Sequence, residues 1–143
     1  MTEIAFHFNV PDRVAYTCRL LRKVSRLGKG VTVTGPASTL QKLDRLLWTF
    51  EPLEFIPHAM LRAGQAPAPR LAATPIWLAE QADDAPPRPV MVHLGDEPAV
   101  GFESFERLVE VVSTDPAERD AARQRWRHYA SRGYAIERHD VAV

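Results

Sequence analysis

The chain has 143 residues, of which 45% are hydrophobic and 25% charged, and its 18 Lys and Arg side chains balance 18 Asp and Glu side chains. This length fits one domain with one hydrophobic core. The composition is that of a globular protein and excludes a disordered or fibrous chain. The neutral balance argues against a strongly basic nucleic-acid-binding protein.

The single cysteine, Cys18, excludes an intrachain disulfide and a thiolate-rich metal site, and it is compatible with a reducing compartment. The N-terminus lacks the charged start and apolar run of a secretory signal, and no stretch approaches the roughly 20 apolar residues that cross a membrane. We therefore expect a cytoplasmic protein without membrane contact.

Strand and helix patterns alternate in the first third of the sequence. Ile4, Phe6 and Phe8 alternate with Ala5 and His7, which predicts a strand. The next segment has apolar residues at three- to four-residue spacing, which predicts a helix, and Gly28 ends it. Residues 31–34 predict a second strand, and a helix is predicted from about Ala37 to Trp48.

The middle of the chain is richer in turns. Residues 54–58 predict a short extended piece, and residues 63–75, with one Gly and three Pro, predict a loop. Residues 76–78 and 90–94 predict strands, and the three prolines in residues 81–89 predict a turn-rich connection between them.

The last third predicts a short helical turn, a strand, a long helix and a final strand. These elements cover residues 102–107, 108–112, 117–132 and 134–141, and Gly133 ends the long helix. Strands that alternate with helices predict a mainly parallel sheet flanked by helices, which is an α/β three-layer fold. No linker interrupts this pattern, so we expect a single domain over residues 1–143.

Sequence motifs for catalysis or metal binding are weak. The segment from Thr34 to Thr39 follows a strand and opens a helix, but it lacks the spaced glycines and the Lys of a phosphate-binding loop. The five histidines have no metal-ligand spacing, which argues against a zinc site. No nucleophile elbow or acid and base pair of carboxylates stands out, so we expect neither cofactor nor metal.

Three motifs, in order along the chain, resemble the DNA polymerase III chi subunit family. They are residues 43–48 followed by 54–58, residues 105–112, and residues 122–129 running into Gly133 and Tyr134, with the turn and strand at 29–33 in support. The resemblance implies a Rossmann-like domain without nucleotide chemistry, and a non-catalytic accessory subunit of the polymerase holoenzyme. It also implies two partners, namely the psi subunit of the clamp loader, with which a heterodimer is expected, and the acidic C-terminal tail of single-stranded DNA-binding protein.

A basic and aromatic stripe on the long helix is the candidate site for that tail. At about 100° per residue, Arg119, Arg123 and Trp126 share one face. Arginine guanidinium groups bind carboxylates with two parallel hydrogen bonds, and the apolar ring of Trp126 suits a terminal apolar residue. The family's Lys, Arg and Tyr on this helix match these three positions. The alternative from composition alone is a solvated face in which the arginines pair with Glu118 or Asp120 and Trp126 is core. Arg127 and Arg132 lie outside the stripe and receive only supporting electrostatic roles.

A second candidate site is the aromatic segment after the second helix. The resemblance implies that Trp48, Phe55 and Pro57 contact psi, since the family's matching Trp and Phe lie there, and clustered aromatics are frequent interface anchors. Without the resemblance, the more usual interpretation is that such residues are buried in the core.

Two other functions remain open. A small nucleotide-binding enzyme on a Rossmann-like fold has only the strand, loop and helix at Gly35 in its favour. Direct DNA binding would rest on the arginines of the last helix, and a neutral chain with one narrow basic stripe should not bind DNA at physiological salt. We therefore expect contact with DNA to be indirect.

Overall fold

The computed structural model describes residues 1–49 and 56–142. Their seven strands are β1 (Glu3–Val10), β2 (Val31–Thr34), β3 (His58–Leu61), β4 (Ile76–Ala79), β5 (Val90–His93), β6 (Arg107–Ser113) and β7 (Ile136–Asp140). Their three α-helices are α1 (Arg13–Arg26), α2 (Ala37–Thr49) and α3 (Pro116–Ser131). Single 3₁₀ turns lie at Pro69–Leu71, Ala82–Asp84 and Phe102–Ser104.

The strands form one sheet in the order β3-β4-β2-β5-β6-β1-β7, and every neighbouring pair is parallel. Parallel strands need crossover connections, which are nearly always right-handed. The crossovers through α1 and α2 run towards β3, whereas the crossover through α3 runs towards β7. Right-handed crossovers in opposite directions cover opposite faces, so the predicted three-layer α/β fold is confirmed as a Rossmann-like arrangement.

The two largest apolar clusters of the described residues lie on the two faces of the sheet. On one face, α1 and α2 bury Cys18, Leu21 and Leu43 against strand residues such as Val33 and Val92. On the other face, α3 buries Ala122 and Tyr129 against β1 and β6. Apolar residues recur every three or four positions on each helix. Because side chains at this spacing share a helix face, each helix packs one apolar face against the sheet.

Local sequence signals define the ends of the helices. Asp12 caps α1 by accepting a hydrogen bond from the Ala15 amide at 3.1 Å, and Asp115 caps α3 in the same way through the Glu118 amide. Gly133 has a φ of +85° just after α3, a conformation that glycine adopts without strain. These signals explain why the predicted boundaries of α1 and α3 are close to the observed ones.

The edge strand β3 begins later than predicted. The extended piece was expected at residues 54–58, of which 54 and 55 lie outside the described residues, and the strand covers His58–Leu61. Pro57 has no backbone N–H to give to a ladder, and pairing starts at the next residue, where His58 lies opposite Ile76. Among residues 1–49 and 56–142, none of the helices has the length and apolar character of a membrane span.

Candidate functional site

A cavity of about 440 Å³ lies between α3 and the β7 edge of the sheet. It brings together all three residues of the predicted stripe, Arg119, Arg123 and Trp126. The other residues that line it are Phe6, Phe8, Val112, Ala122, Arg127 and Arg138. The stripe therefore faces a concave surface and is not simply a solvated helix face.

The floor and walls of this cavity are apolar. Phe6 on β1 contacts Trp126 with ring centroids 5.1 Å apart, and Trp126 is half-buried against the core on this side of the sheet. Phe8 stands two residues further along β1, so its side chain points to the same face. Trp126 is thus neither fully core nor fully exposed, and one side of its indole is available to a ligand.

The rim of the cavity is cationic. Arg119, Arg123 and Arg127 come from α3, and Arg138 comes from β7, where its guanidinium lies 5.2 Å from the centre of the Phe8 ring. No Asp or Glu of the described residues lines the cavity. The site therefore combines apolar walls with guanidinium groups on two sides.

One of these cations already has an acidic neighbour. Arg123 Nη1 lies 2.8 Å from Asp120 Oδ1, and both side chains are more than 60% exposed. An ion pair this exposed contributes little and exchanges readily with other anions. Glu118, the other acid considered as a partner, pairs instead with Arg13 at 3.1 Å.

From the sequence, Arg127 was expected outside the stripe with only a supporting electrostatic role, and neither Arg138 nor Phe8 was predicted at this site. Arg127 follows the half-buried Trp126 directly on α3, and its long side chain reaches the rim of a wide cavity. Arg138 and Phe8 belong to strands at opposite ends of the chain, which become neighbours only because β7 pairs with β1. The alternation of Phe6 and Phe8 was the available signal for an apolar face, but not for its nearness to α3.

A buried polar network holds α3 on the sheet beside the cavity. Glu110, fully buried in β6, accepts hydrogen bonds from Arg125 Nε at 3.1 Å and from the Tyr129 hydroxyl at 2.6 Å. The Tyr129 hydroxyl accepts in turn from the Ala99 amide at 2.9 Å, and Arg125 Nη1 donates to the Asp96 carbonyl at 3.2 Å. Burial, followed by the charge of Glu110, raises the pKa of Tyr129 well above its usual range.

The second predicted site is partly described. Trp48 is 57% exposed at the end of α2, and its ring lies 4.8 Å from that of His58. His58 is buried, with Nδ1 2.7 Å from the Ile56 carbonyl oxygen and Nε2 3.1 Å from Asp44 Oδ1. Pro57 is half-buried beside it, whereas Phe55 lies outside the described residues. Trp48 is therefore a surface residue and not the core residue that composition alone favours.

The crevice at the carboxyl ends of β2 and β5, where open α/β sheets commonly bind ligands, has a different character. A cavity of about 220 Å³ lies there, beside Gly35 and His93, and its charged lining residues are Glu80, Asp96 and Glu97. None of the described residues that line it is a Lys or Arg, so its electrostatics oppose a nucleotide phosphate. No group of three or more His, Cys, Asp or Glu in the described ranges could hold a metal ion.

Comparison with known proteins decides the family. The family model described as DNA polymerase III chi subunit, HolC, matches residues 1–137. The chain belongs to the DNA polymerase III chi subunit family. It is 32% identical over 146 residues to DNA polymerase III subunit chi of Pseudomonas aeruginosa, with 97% of this chain and 96% of that protein covered. It is 28% identical over 127 residues to DNA polymerase III subunit chi of Haemophilus influenzae, covering 87% and 84%. Membership of the chi family supports an accessory role in DNA replication.

Proposed function

We propose that this chain is a non-catalytic accessory subunit of the DNA polymerase III holoenzyme in the cytoplasm, and that it binds two proteins. One is the acidic C-terminal tail of single-stranded DNA-binding protein, bound by Arg119, Arg123 and Trp126. The other is the psi subunit of the clamp loader, bound through Trp48, Phe55 and Pro57 in a heterodimer. The chain then joins the clamp loader to protein-coated DNA, and its proposed bridging role needs no active site.

The cavity between α3 and β7 is the observation that carries the tail assignment. A tail that ends in a bulky apolar residue and a free carboxylate requires an apolar cavity with cations at its rim. Phe6, Phe8 and Trp126 supply apolar walls, and Arg119 and Arg123 supply guanidinium groups that can each grip a carboxylate with two parallel bonds.

The cations at the rim also suit the acidic residues that precede the end of such a tail. Arg127 and Arg138 extend the positive rim on both sides of the cavity. Contacts of this kind contribute modestly one by one and weaken with salt, because they are exposed. The apolar end and its carboxylate should therefore determine specificity, and the acidic residues should mainly speed association.

Titration of a labelled acidic peptide ending in Phe tests the tail site. We expect binding to the unaltered chain with a Kd on the order of micromolar, and a loss of at least about tenfold in the Arg123→Ala, Trp126→Ala double variant. Arg132→Ala removes an exposed arginine of the same helix end that does not line the cavity, so its supporting electrostatic role should change the affinity by less than about twofold. Equal affinity of the double variant and the unaltered chain would remove this site from consideration.

Co-expression with psi tests the second contact. The exposed indole of Trp48, supported by His58, has the size and position of an interface anchor. Trp48→Ala should reduce the psi recovered with the chain, whereas Leu27→Ala, which removes an exposed apolar side chain at the end of α1, should not. Undiminished recovery with Trp48→Ala and Pro57→Ala together would contradict this contact.

A further inference from the structure

The charges of this neutral chain are strongly segregated. Residues 13–49, which include α1 and α2, contain eight Lys or Arg and one Asp, whereas residues 76–106 contain one Arg and seven Asp or Glu. The two helices lie side by side on the same face of the sheet, opposite α3. A total charge of zero therefore conceals one basic helical layer.

The cations of this layer point outwards. Arg19 and Lys23 on α1 are exposed one turn apart, and Lys42 and Arg45 on α2 are exposed as well. Helix α1 contains no acidic residue at all. The acid of α2, Asp44, lies 3.1 Å from the buried His58. Neither helix offers an acidic residue of its own to neutralise these four exposed cations, unlike Arg123 and Asp120 on α3.

A broad face of this kind suits a polymer with repeated negative charges. Residues four apart on a helix are separated by about 6 Å along its axis, so Arg19 and Lys23 present a regular row of cations. Lys42 and Arg45 on α2 add two exposed cations three residues apart. Proteins that bind single strands without sequence preference present cations that follow the phosphate backbone.

Although the neutral composition predicts only indirect contact with DNA, we propose that the basic outer face of α1 and α2 contacts the phosphate backbone of single-stranded DNA. This contact is separate from the cavity between α3 and β7 and does not depend on the tail. It is weak on its own, because it is exposed and purely electrostatic, and it gains when the chain is held close to DNA by another attachment. The chain would then contact DNA through the α1 and α2 layer and the protein tail through α3, which lies on the opposite face of the sheet.

Fluorescence anisotropy of labelled oligothymidine, at several salt concentrations, tests this contact. A surface that neutralises three or four phosphates of a single strand should show a slope of log affinity against log salt of about −2 to −3. The Arg19→Glu, Lys23→Glu double variant should bind about tenfold more weakly at about 50 mM salt and show a shallower slope. Both positions lie on α1, whereas Trp48 lies on α2, so the variant leaves the proposed psi anchor itself unaltered.

The matched control is Arg62→Glu with Arg70→Glu, which makes the same change of charge at exposed positions in the loop after β3. It should leave the affinity within about twofold. Equal losses in the two double variants would reduce the effect to net charge and overturn the proposal. Preferential binding of polyglutamate or of anionic phospholipid vesicles over the oligonucleotide would also overturn it, in favour of an acidic protein or a membrane. Thermal unfolding of each variant shows that a loss of binding is not a loss of fold.

Discussion

Arg125 and Glu110 form an ion pair that is withdrawn from solvent, with Arg125 Nε 3.1 Å from Glu110 Oε1 and side chains that are only 3% and 0% exposed. The pair joins the middle of α3 to the middle of β6. Removing one partner of a buried pair leaves the other charge without compensation and costs about 3–5 kcal/mol. We expect Arg125→Ala to lower the free energy of unfolding in urea by about that amount.

The neighbouring Arg127→Ala is the control for this prediction. Arg127 is exposed, so its removal should change the free energy of unfolding by less than about 0.5 kcal/mol. If Arg125→Ala were as stable as Arg127→Ala, the pair would contribute no more than a surface contact.

The hydroxyl of Tyr129 gives a second, smaller prediction. It donates to Glu110 Oε2 at 2.6 Å and accepts from the Ala99 amide at 2.9 Å. Tyr129→Phe keeps the packed ring but removes both bonds, so it should cost about 2 kcal/mol in urea unfolding. Tyr134→Phe, whose ring is only partly buried, serves as the matched control and should unfold nearly as the unaltered chain does. Equal stability of the two variants would show that the network is not needed.

The sequence predicted the layers of this fold because the elements have clear periods and clear ends. Asp12, Gly28 and Gly133 mark helix boundaries that depend on local chemistry alone. The position of β3 was less accessible, because a four-residue edge strand takes its register from β4, which lies far along the chain. Strand order likewise depends on long-range pairing.

In the candidate site, too, the residues on one helix could be predicted from the sequence, whereas those brought together by strand pairing could not. Arg119, Arg123 and Trp126 could be grouped from helix geometry alone, since they lie on one element. Arg138 could not, because it approaches α3 only through the pairing of β7 with β1. The partner of Glu110 was also hidden, although a charged residue inside the apolar strand 108–112 signals that a buried partner must exist.

Arg138 provides a prediction for the proposed tail site. Its guanidinium lies over Phe8 on the side of the cavity opposite to α3. Arg138→Ala should weaken binding of the acidic peptide about three- to tenfold and make it less sensitive to salt, because one exposed ionic contact is lost. Isothermal titration at two salt concentrations measures both effects. An unchanged affinity and salt dependence would restrict the site to α3.

His7 gives a prediction for pH dependence. Its Nδ1 lies 2.5 Å from the Tyr16 hydroxyl, and its ring lies 4.9 Å from that of His139. Burial first, and then the charges of His139, Arg107 and Lys23, lower the pKa of His7 from its ordinary value of 6.5 to about 4, although Glu137 opposes them. An NMR titration should therefore show the His7 ring neutral at pH 6, where an exposed histidine is mostly protonated.

The lowered pKa of His7 determines how its contribution to the free energy of unfolding changes with pH. As the pH falls below 6.5 the unfolded chain takes up the proton first, because the folded pKa of His7 is lower. The contribution of His7 to the free energy of unfolding is therefore fully present above pH 6.5, and it decreases down to about pH 4. His7→Gln should flatten this part of the profile of urea midpoint against pH.

His139→Gln separates the two main causes of the low pKa of His7. Removing the second imidazole removes a positive charge that disfavours protonation of His7, so the pKa of His7 should rise. Burial remains the larger cause, so the pKa should stay below 6.5 in this variant. A return to 6.5 would show that the repulsion between the two rings, and not burial, keeps His7 neutral.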